Sequence, residues 1–155
     1  MNPFANCRYF TGNENWGSPS NMNPVFIQML DNFQGYIQSK IVVDCGTQGQ
    51  HVMDSQHALG LAADLILPDF AGRAIDLLLA IARFPFTGVG YYPAWQLSGV
   101  TTGGIHLDMR TLAIGQPCHH WMGVPEAPGA GTAGDTGQTY IALNEANLRQ
   151  YGAIK

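Results

Sequence analysis

The chain has 155 residues, 46% hydrophobic and only 12% charged, with 19 glycines, 9 prolines and a formal net charge of −4. That length suits one domain able to bury a core, and the apolar share excludes a disordered chain. Seven scattered Lys and Arg residues exclude a nucleic-acid backbone as partner, and no run of about 18 apolar residues is present to span a bilayer. So sparse a surface charge also fits a subunit packed into a larger assembly.

Residues 1–22 are rich in Asn, Gly, Ser and Pro, with Phe4, Tyr9, Phe10 and Trp16 interspersed, and read as an irregular arm anchored by its aromatics. No basic segment followed by an apolar one opens the chain, so no signal peptide is expected. Asn23-Pro24 marks a helix start, and Phe26, Met29, Leu30, Phe33 and Ile37 form one apolar stripe, with Gly35 weakening the end. Lys40–Asp44 reads as a short β-branched strand, followed by a glycine-punctuated loop from Cys45 to Gln50.

Leu61–Leu67 reads as a core strand stopped by Pro68. Asp69 is expected to cap a helix reaching Arg83, with Ala71, Ala74, Ile75, Leu78, Leu79 and Ala82 on one face. Gly88–Pro93 is a further strand, Ala94–Thr102 a loop, and Ile105–Met109 an alternating strand with His106 and Asp108 on one side. Gly123–Gly134 reads as a linker, and Tyr140–Tyr151, with Gly152 as a stop, as a short strand or helix. The expected division is thus an arm (1–22), a main domain (23–122), and a linker with C-terminal segment (123–155). Cys7, Cys45 and Cys118 cannot all pair and form no CxxC, so buried thiols are expected, with a single bridge left open.

Chemistry concentrates in Ser55-Gln56-His57-Ala58-Leu59-Gly60-Leu61-Ala62-Ala63-Asp64, together with His106 and Asp108. An extended chain would separate His57 from Asp64 by roughly 23 Å, and a continuous helix by roughly 10 Å. For both to share one ion the chain must turn between them, and Gly60 is placed to allow it. Two imidazoles and a carboxylate suit Zn2+ with a fourth position left to water, a set that polarises carbonyls for amide hydrolysis. The same residues also read as a loop histidine, an aspartate bonding backbone amides and a satisfied strand histidine. An aspartate within so apolar a strand favours a partner, because a buried charge needs one.

The pattern Ser55-x-His57-x-x-Gly60-x-Ala62-x-Asp64 resembles the SxHxxGxAxD signature of the zinc peptidase family that holds D-Ala-D-Ala carboxypeptidases and phage endolysins, matching all five fixed positions. Gly88–Pro93, Ile105-His106-Leu107-Asp108 and Trp121 follow in the family's order, so the likeness covers roughly residues 24–121. It implies an α+β fold, with a small antiparallel sheet, helices packed on one side and the zinc site at the sheet face. It also implies His57, Asp64 and His106 as zinc ligands.

Two positions depart from the family. Gly103 stands where many relatives place an acidic base, and residues 77–107 contain no Asp or Glu. Gln48 stands in the place of an arginine that steadies substrate. Asp108 is the nearest remaining catalytic base; its other reading is a residue that orients a ligand imidazole. His119 and His120 are further bases by type or an exposed turn pair, and Glu126 lies in the linker. Gln48 would bind substrate, as would one of Tyr91 and Tyr92, which alternate in facing.

The expected function is zinc-dependent hydrolysis of a peptidoglycan stem peptide or cross-link, in a phage lytic or virion setting that supplies access to the wall. The competing expectation is a virion module that binds wall peptide without cutting it, docked to other virion proteins through the C-terminal segment.

Overall fold

The computed structural model describes residues 2–48, 55–125 and 138–151. Most of the expected linker, its Glu126, the end of the 45–50 loop and the stop at Gly152 lie outside the described residues.

Helix α1 spans Pro24–Ile37 and is capped by Asn23, whose side chain accepts from Val25 and Phe26 N–H. It runs through Gly35 and buries Phe26, Ile27, Met29, Leu30 and Phe33, close to the stripe expected. Strand β1 (Val42–Cys45) leads through the 46–48 turn towards the 55–60 turn, and β2 (Ala62–Ile66) is buried throughout. Helix α2 (Ala74–Ile81) follows, then β3 (Gly88–Tyr92), a two-strand hairpin of β4 (Gln96–Leu97) and β5 (Val100–Thr101), and β6 (Gly104–Asp108). The chain continues in β7 (His119–Pro125), β8 (Gln138–Ala142) and α3 (Glu145–Gln150). No described helix is long and apolar enough to cross a membrane.

The class is α+β as expected, but the sheet is larger and mixed. Six strands lie in the order β1-β2-β6-β3-β7-β8, and β3 pairs with β7 in parallel while every other pair is antiparallel. Strand β7 crosses the boundary expected at residue 122, and β8 extends the same sheet, so Gln138–Ala142 belongs to it. The loop expected at 94–102 contains the β4–β5 hairpin.

One face of the sheet is apolar. Val43, Ala63, Leu65, Val89, Tyr91, Ile105, Leu107, Met122 and Val124 share a core with residues of all three helices and with Phe4, Phe10 and Trp16 of the arm. Burying a full aliphatic or aromatic side chain stabilises by about 1.5–3 kcal/mol each, so this face is the main source of stability.

Helix α2 sits in a different phase from the one expected. Ala74, Leu77 and Ile81 are buried, whereas Ile75 and Leu79 are 40% and 64% exposed. Its sequence is apolar nearly all round, so periodicity alone could not set the phase. Nor does Asp69 cap it: the helix begins after Arg73, and the Asp69 carboxylate accepts from Ser39 Oγ at 2.6 Å. The three cysteines form no disulfide, and Cys118 is exposed rather than buried.

Candidate metal centre

The site lies on the other face of β2, β3 and β6, where alternation places Asp64, His106 and Asp108. Asp64 pairs with His106 across the antiparallel ladder, and His106 pairs with Gly90 of β3. His57 reaches them from the turn between residues 55 and 60. Ser55 organises that turn: its Oγ accepts from Ala58 N–H and its carbonyl from Leu59 N–H. Gly60 closes it with φ +68°, donating to His57 O at 2.9 Å and accepting from Asn23 N–H. A Cβ at Gly60 would lie 2.1 Å from Asn21 O, so glycine is required by the close approach as well as by φ. The turn expected between His57 and Asp64 is therefore where the structure has it.

Three side chains converge, the carboxylate turning one oxygen to each imidazole. His57 Nε2 lies 3.1 Å from His106 Nδ1, His106 Nδ1 is 3.0 Å from Asp64 Oδ1, and His57 Nε2 is 3.4 Å from Asp64 Oδ2. All three residues are buried. The outer nitrogen of each imidazole is committed elsewhere. His57 Nδ1 meets Gly46 O at 2.6 Å, and His106 Nε2 meets Asp108 Oδ2 at 3.0 Å. A carbonyl and a carboxylate can only accept, so both outer nitrogens carry protons, and in the neutral rings the inner nitrogens present lone pairs. Two lone pairs and a carboxylate facing one another at such distances need a cation between them.

A proton on His106 Nδ1 meets that need in the protein without metal. Burial pulls the His106 imidazole down, but the hydrogen bonds and charges of Asp108 and Asp64 outweigh it and leave the group raised to about 9. Asp64 shows the converse. Burial pushes its carboxyl up, and the bonds and charges of His106 and His57 hold it well below the carboxylate range. A metal ion meets the same need. Cys45, His57 and Asp64 also form a group able to hold one, their donor atoms lying within 4.8 Å of one another.

Asp108 is not placed as a base. It has no exposed surface and accepts from His106 and, through both carboxylate oxygens, from the guanidinium and backbone N–H of Arg110. Burial raises its carboxyl, and these bonds outweigh that and hold it low. It orients His106, the other role open to it from the sequence.

Gln48 is likewise engaged away from the centre: its Nε2 donates to Asn15 O at 2.7 Å and its Oε1 accepts from Gly46 N–H. Tyr91 lies in the helix-side core, where burial pushes its hydroxyl up to about 12, so it does not face the centre. Tyr92 is on the site face, stacked on Trp95 at 4.2 Å, with its hydroxyl accepting from Trp121 Nε1 at 3.1 Å. Trp121 forms a wall, with its ring centroid 5.2 Å from that of His106 and the Arg110 guanidinium 5.4 Å from its indole. His119 and His120 are exposed at the start of β7, and His120 lines an apolar cavity of about 400 Å³ on the helix side.

Sequence reasoning missed three residues. Arg110 continues the alternation of His106 and Asp108 by one more step, a signal that was present. Cys45 and Asp44 are set by an irregularity in β1: Val43 pairs with Leu65 and Cys45 with Asp64, so the extra residue Asp44 also faces Asp64. Burial, and then the charge of Asp64, push the Asp44 carboxyl up. Bulges leave little trace in residue patterns.

No family model, curated protein or solved structure matches the chain.

Proposed function

We propose that this protein is a zinc-dependent peptidase that hydrolyses an amide bond of the peptidoglycan stem peptide or cross-link. The observation that carries the reading is the spacing of the two inner imidazole nitrogens from one another, 3.1 Å, and of each from a carboxylate oxygen of Asp64, at 3.0 and 3.4 Å. A tetrahedral ion with bonds of 2.0–2.1 Å sets its ligands about 3.3 Å apart. The donor set fits zinc in chemistry as well as spacing, and each imidazole is held by an outer partner, as metal-ligating histidines usually are. Zinc held there would supply a Lewis acid that polarises the scissile carbonyl and acidifies water.

The chain's own residues supply the rest. Gly46 O and Asp108 fix the two ring orientations, and Arg110 fixes Asp108. Trp121 and Tyr92 wall the site and limit water on one side. Asp44, exposed and beside Asp64, is the described carboxylate on this face left to accept a proton during amide cleavage. The stem peptide as substrate rests on the signature around Ser55–Asp64, as does the phage setting.

A second reading is a metal-bearing module that binds wall peptide without cutting it. Its support is specific: Asp108 is locked by Arg110, and Gln48 is spent on the N-terminal arm. Under it, the C-terminal segment, with Tyr140 exposed on β8, docks to other virion proteins.

Metal analysis of the purified protein, paired with digestion of purified murein, tests both readings. Zinc near one per chain, lost in Asp64→Ala, with chelator-sensitive release of peptides, is the result expected. Stoichiometric zinc with intact murein, under conditions where a control peptidase digests it, would leave only the module. Equal zinc in wild type and Asp64→Ala would remove the centre itself.

A further inference from the structure

We infer that Cys45 is a fourth ligand of this metal centre, and that its thiolate takes the position a hydrolytic zinc site leaves to water. The inference rests on the metal-binding reading above and adds a closed coordination sphere to it.

The argument is geometric. Two triads of donor atoms share one edge. His57 and Asp64 stand with His106 on one side, at 3.0–3.4 Å, and with Cys45 Sγ on the other, within 4.8 Å. Cys45 Sγ is thus within reach of an ion held by the same His57 and Asp64 that face His106, and zinc takes four protein ligands where a fourth is offered. Sulfur and imidazole nitrogen are both favoured donors for that ion.

The backbone holds the thiol there. The irregularity in β1 sets Cys45 directly opposite Asp64 in the ladder. The next residue, Gly46, gives the carbonyl that orients His57, so one dipeptide carries a ligand and the support of another. The turn that follows is clamped to the arm: Thr47 donates to Trp16 O through N–H and hydroxyl at 2.7 and 2.9 Å.

Coordination has a defined exchange. The Cys45 thiol donates to Gln48 O at 2.9 Å. On binding, the S–H bond breaks, a sulfur–metal bond forms, the proton leaves to solvent and no oxidation state changes. The hydrogen bond to Gln48 O is lost in return. With four protein ligands the centre would be closed to water, so Cys45→Ser is expected to turn murein over faster than wild type.

Cobalt substitution tests this without relying on activity. Wild-type protein loaded with Co2+ is expected to show the near-ultraviolet sulfur-to-cobalt charge-transfer band. Cys45→Ser should bind Co2+ without the band, and Cys7→Ser/Cys118→Ser should keep it. Should Cys45→Ser fail to fold, iodoacetamide labelling of wild type with peptide mapping gives the same answer. Zinc then protects Cys45, while the exposed Cys118 reacts with or without metal. Cobalt bound by wild type with no such band, or a band that persists in Cys45→Ser, or Cys45 alkylated equally with and without zinc, overturns the fourth ligand and leaves the three-ligand centre standing. No cobalt bound by wild type overturns both.

Discussion

The two faces of the same three strands are built on opposite rules. Under the helices, β2, β3 and β6 present Ala63, Leu65, Val89, Tyr91, Ile105 and Leu107, large side chains filling space against α1 and α2. On the other face they present Asp64, His106 and Asp108, with Gly88 and Gly90 directly beside the last two. A Cβ at Gly88 would lie 2.2 Å from the Asp108 carboxylate, and one at Gly90 2.6 Å from the Trp121 indole. The helix face is filled by volume; around Asp108 and His106 the site face carries glycines, so that polar groups can lie flat against the sheet and reach one another, and its other end holds the smaller apolar cluster of Ile66, Tyr92 and Trp95. Stability therefore resides mainly on one side and chemistry on the other.

The largest expected effect breaks the first half of that contrast. Leu107 is fully buried on the helix face, one residue from His106 in sequence and on the opposite side of the sheet. Leu107→Ala is expected to cost about 2–5 kcal/mol, read as a lower denaturation midpoint in the presence of chelator. Zinc affinity of the folded protein should stay near wild type. A loss of affinity as large as the loss of stability would show that the faces are not separable.

Gly88→Ala tests the second half. The added methyl displaces Asp108 from its bonds to His106 and Arg110, and outer partners of ligating histidines are worth roughly 10–100-fold in metal affinity. A weakening of that size, measured by competition with a chromogenic chelator, is expected. An unchanged affinity would mean that Asp108 does not orient His106.

The pH dependence follows from His106. In the metal-free protein its pKa is raised to about 9, above the ordinary histidine value. In Cys45→Ser, where no thiol proton is released, a metal ion must displace only the proton on Nδ1, so apparent affinity should rise about tenfold per pH unit from neutrality until pH passes the group's pKa, and more steeply in wild type. The sign for stability is opposite. A raised pKa contributes stability that is fully present below about 6.5 and lost as pH rises through about 9. Asp64 and Asp108, held low, contribute stability present above about 3.9 and lost as pH falls towards their folded values. The metal-free protein should thus be most stable in mildly acid solution and the zinc form should tolerate alkali better, as melting curves with and without metal would show.

How much of this was legible in the sequence follows the same division. Helix α1 was readable because Asn23-Pro24 and a clean stripe fix both its start and its phase; α2 was not, because its surface is apolar nearly all round. His57, Asp64 and His106 come together as expected because Gly60 allows the turn and strand alternation does the rest. The parallel β3–β7 pair and the place of β8 depend on contacts between distant segments, which local periodicity does not carry. Cys45 and Asp44 owe their placement to one extra residue in β1. Gln48 and Asp108 bond to Asn15 and Arg110, partners that lie outside the motif that drew attention to them and that the motif could not announce.

The smallest expected effect separates the neighbouring tyrosines and so sharpens the contrast at a single peptide bond. Tyr92→Phe removes the acceptor for Trp121 Nε1, and a neutral hydrogen bond of this kind contributes about 0.5–1.5 kcal/mol. The stacking of ring 92 on Trp95 survives the change, since only the hydroxyl is lost. Trp121 also packs beside His106 and under the Arg110 guanidinium, so freeing its indole loosens the wall nearest the donor atoms. A small drop in stability should therefore come with faster metal release, measured by stopped-flow chelation. Tyr91→Phe alters a hydroxyl on the helix side and should leave the release rate where it was. Equal effects of the two substitutions on metal release would mean that the sheet transmits what its alternating faces are arranged to keep apart.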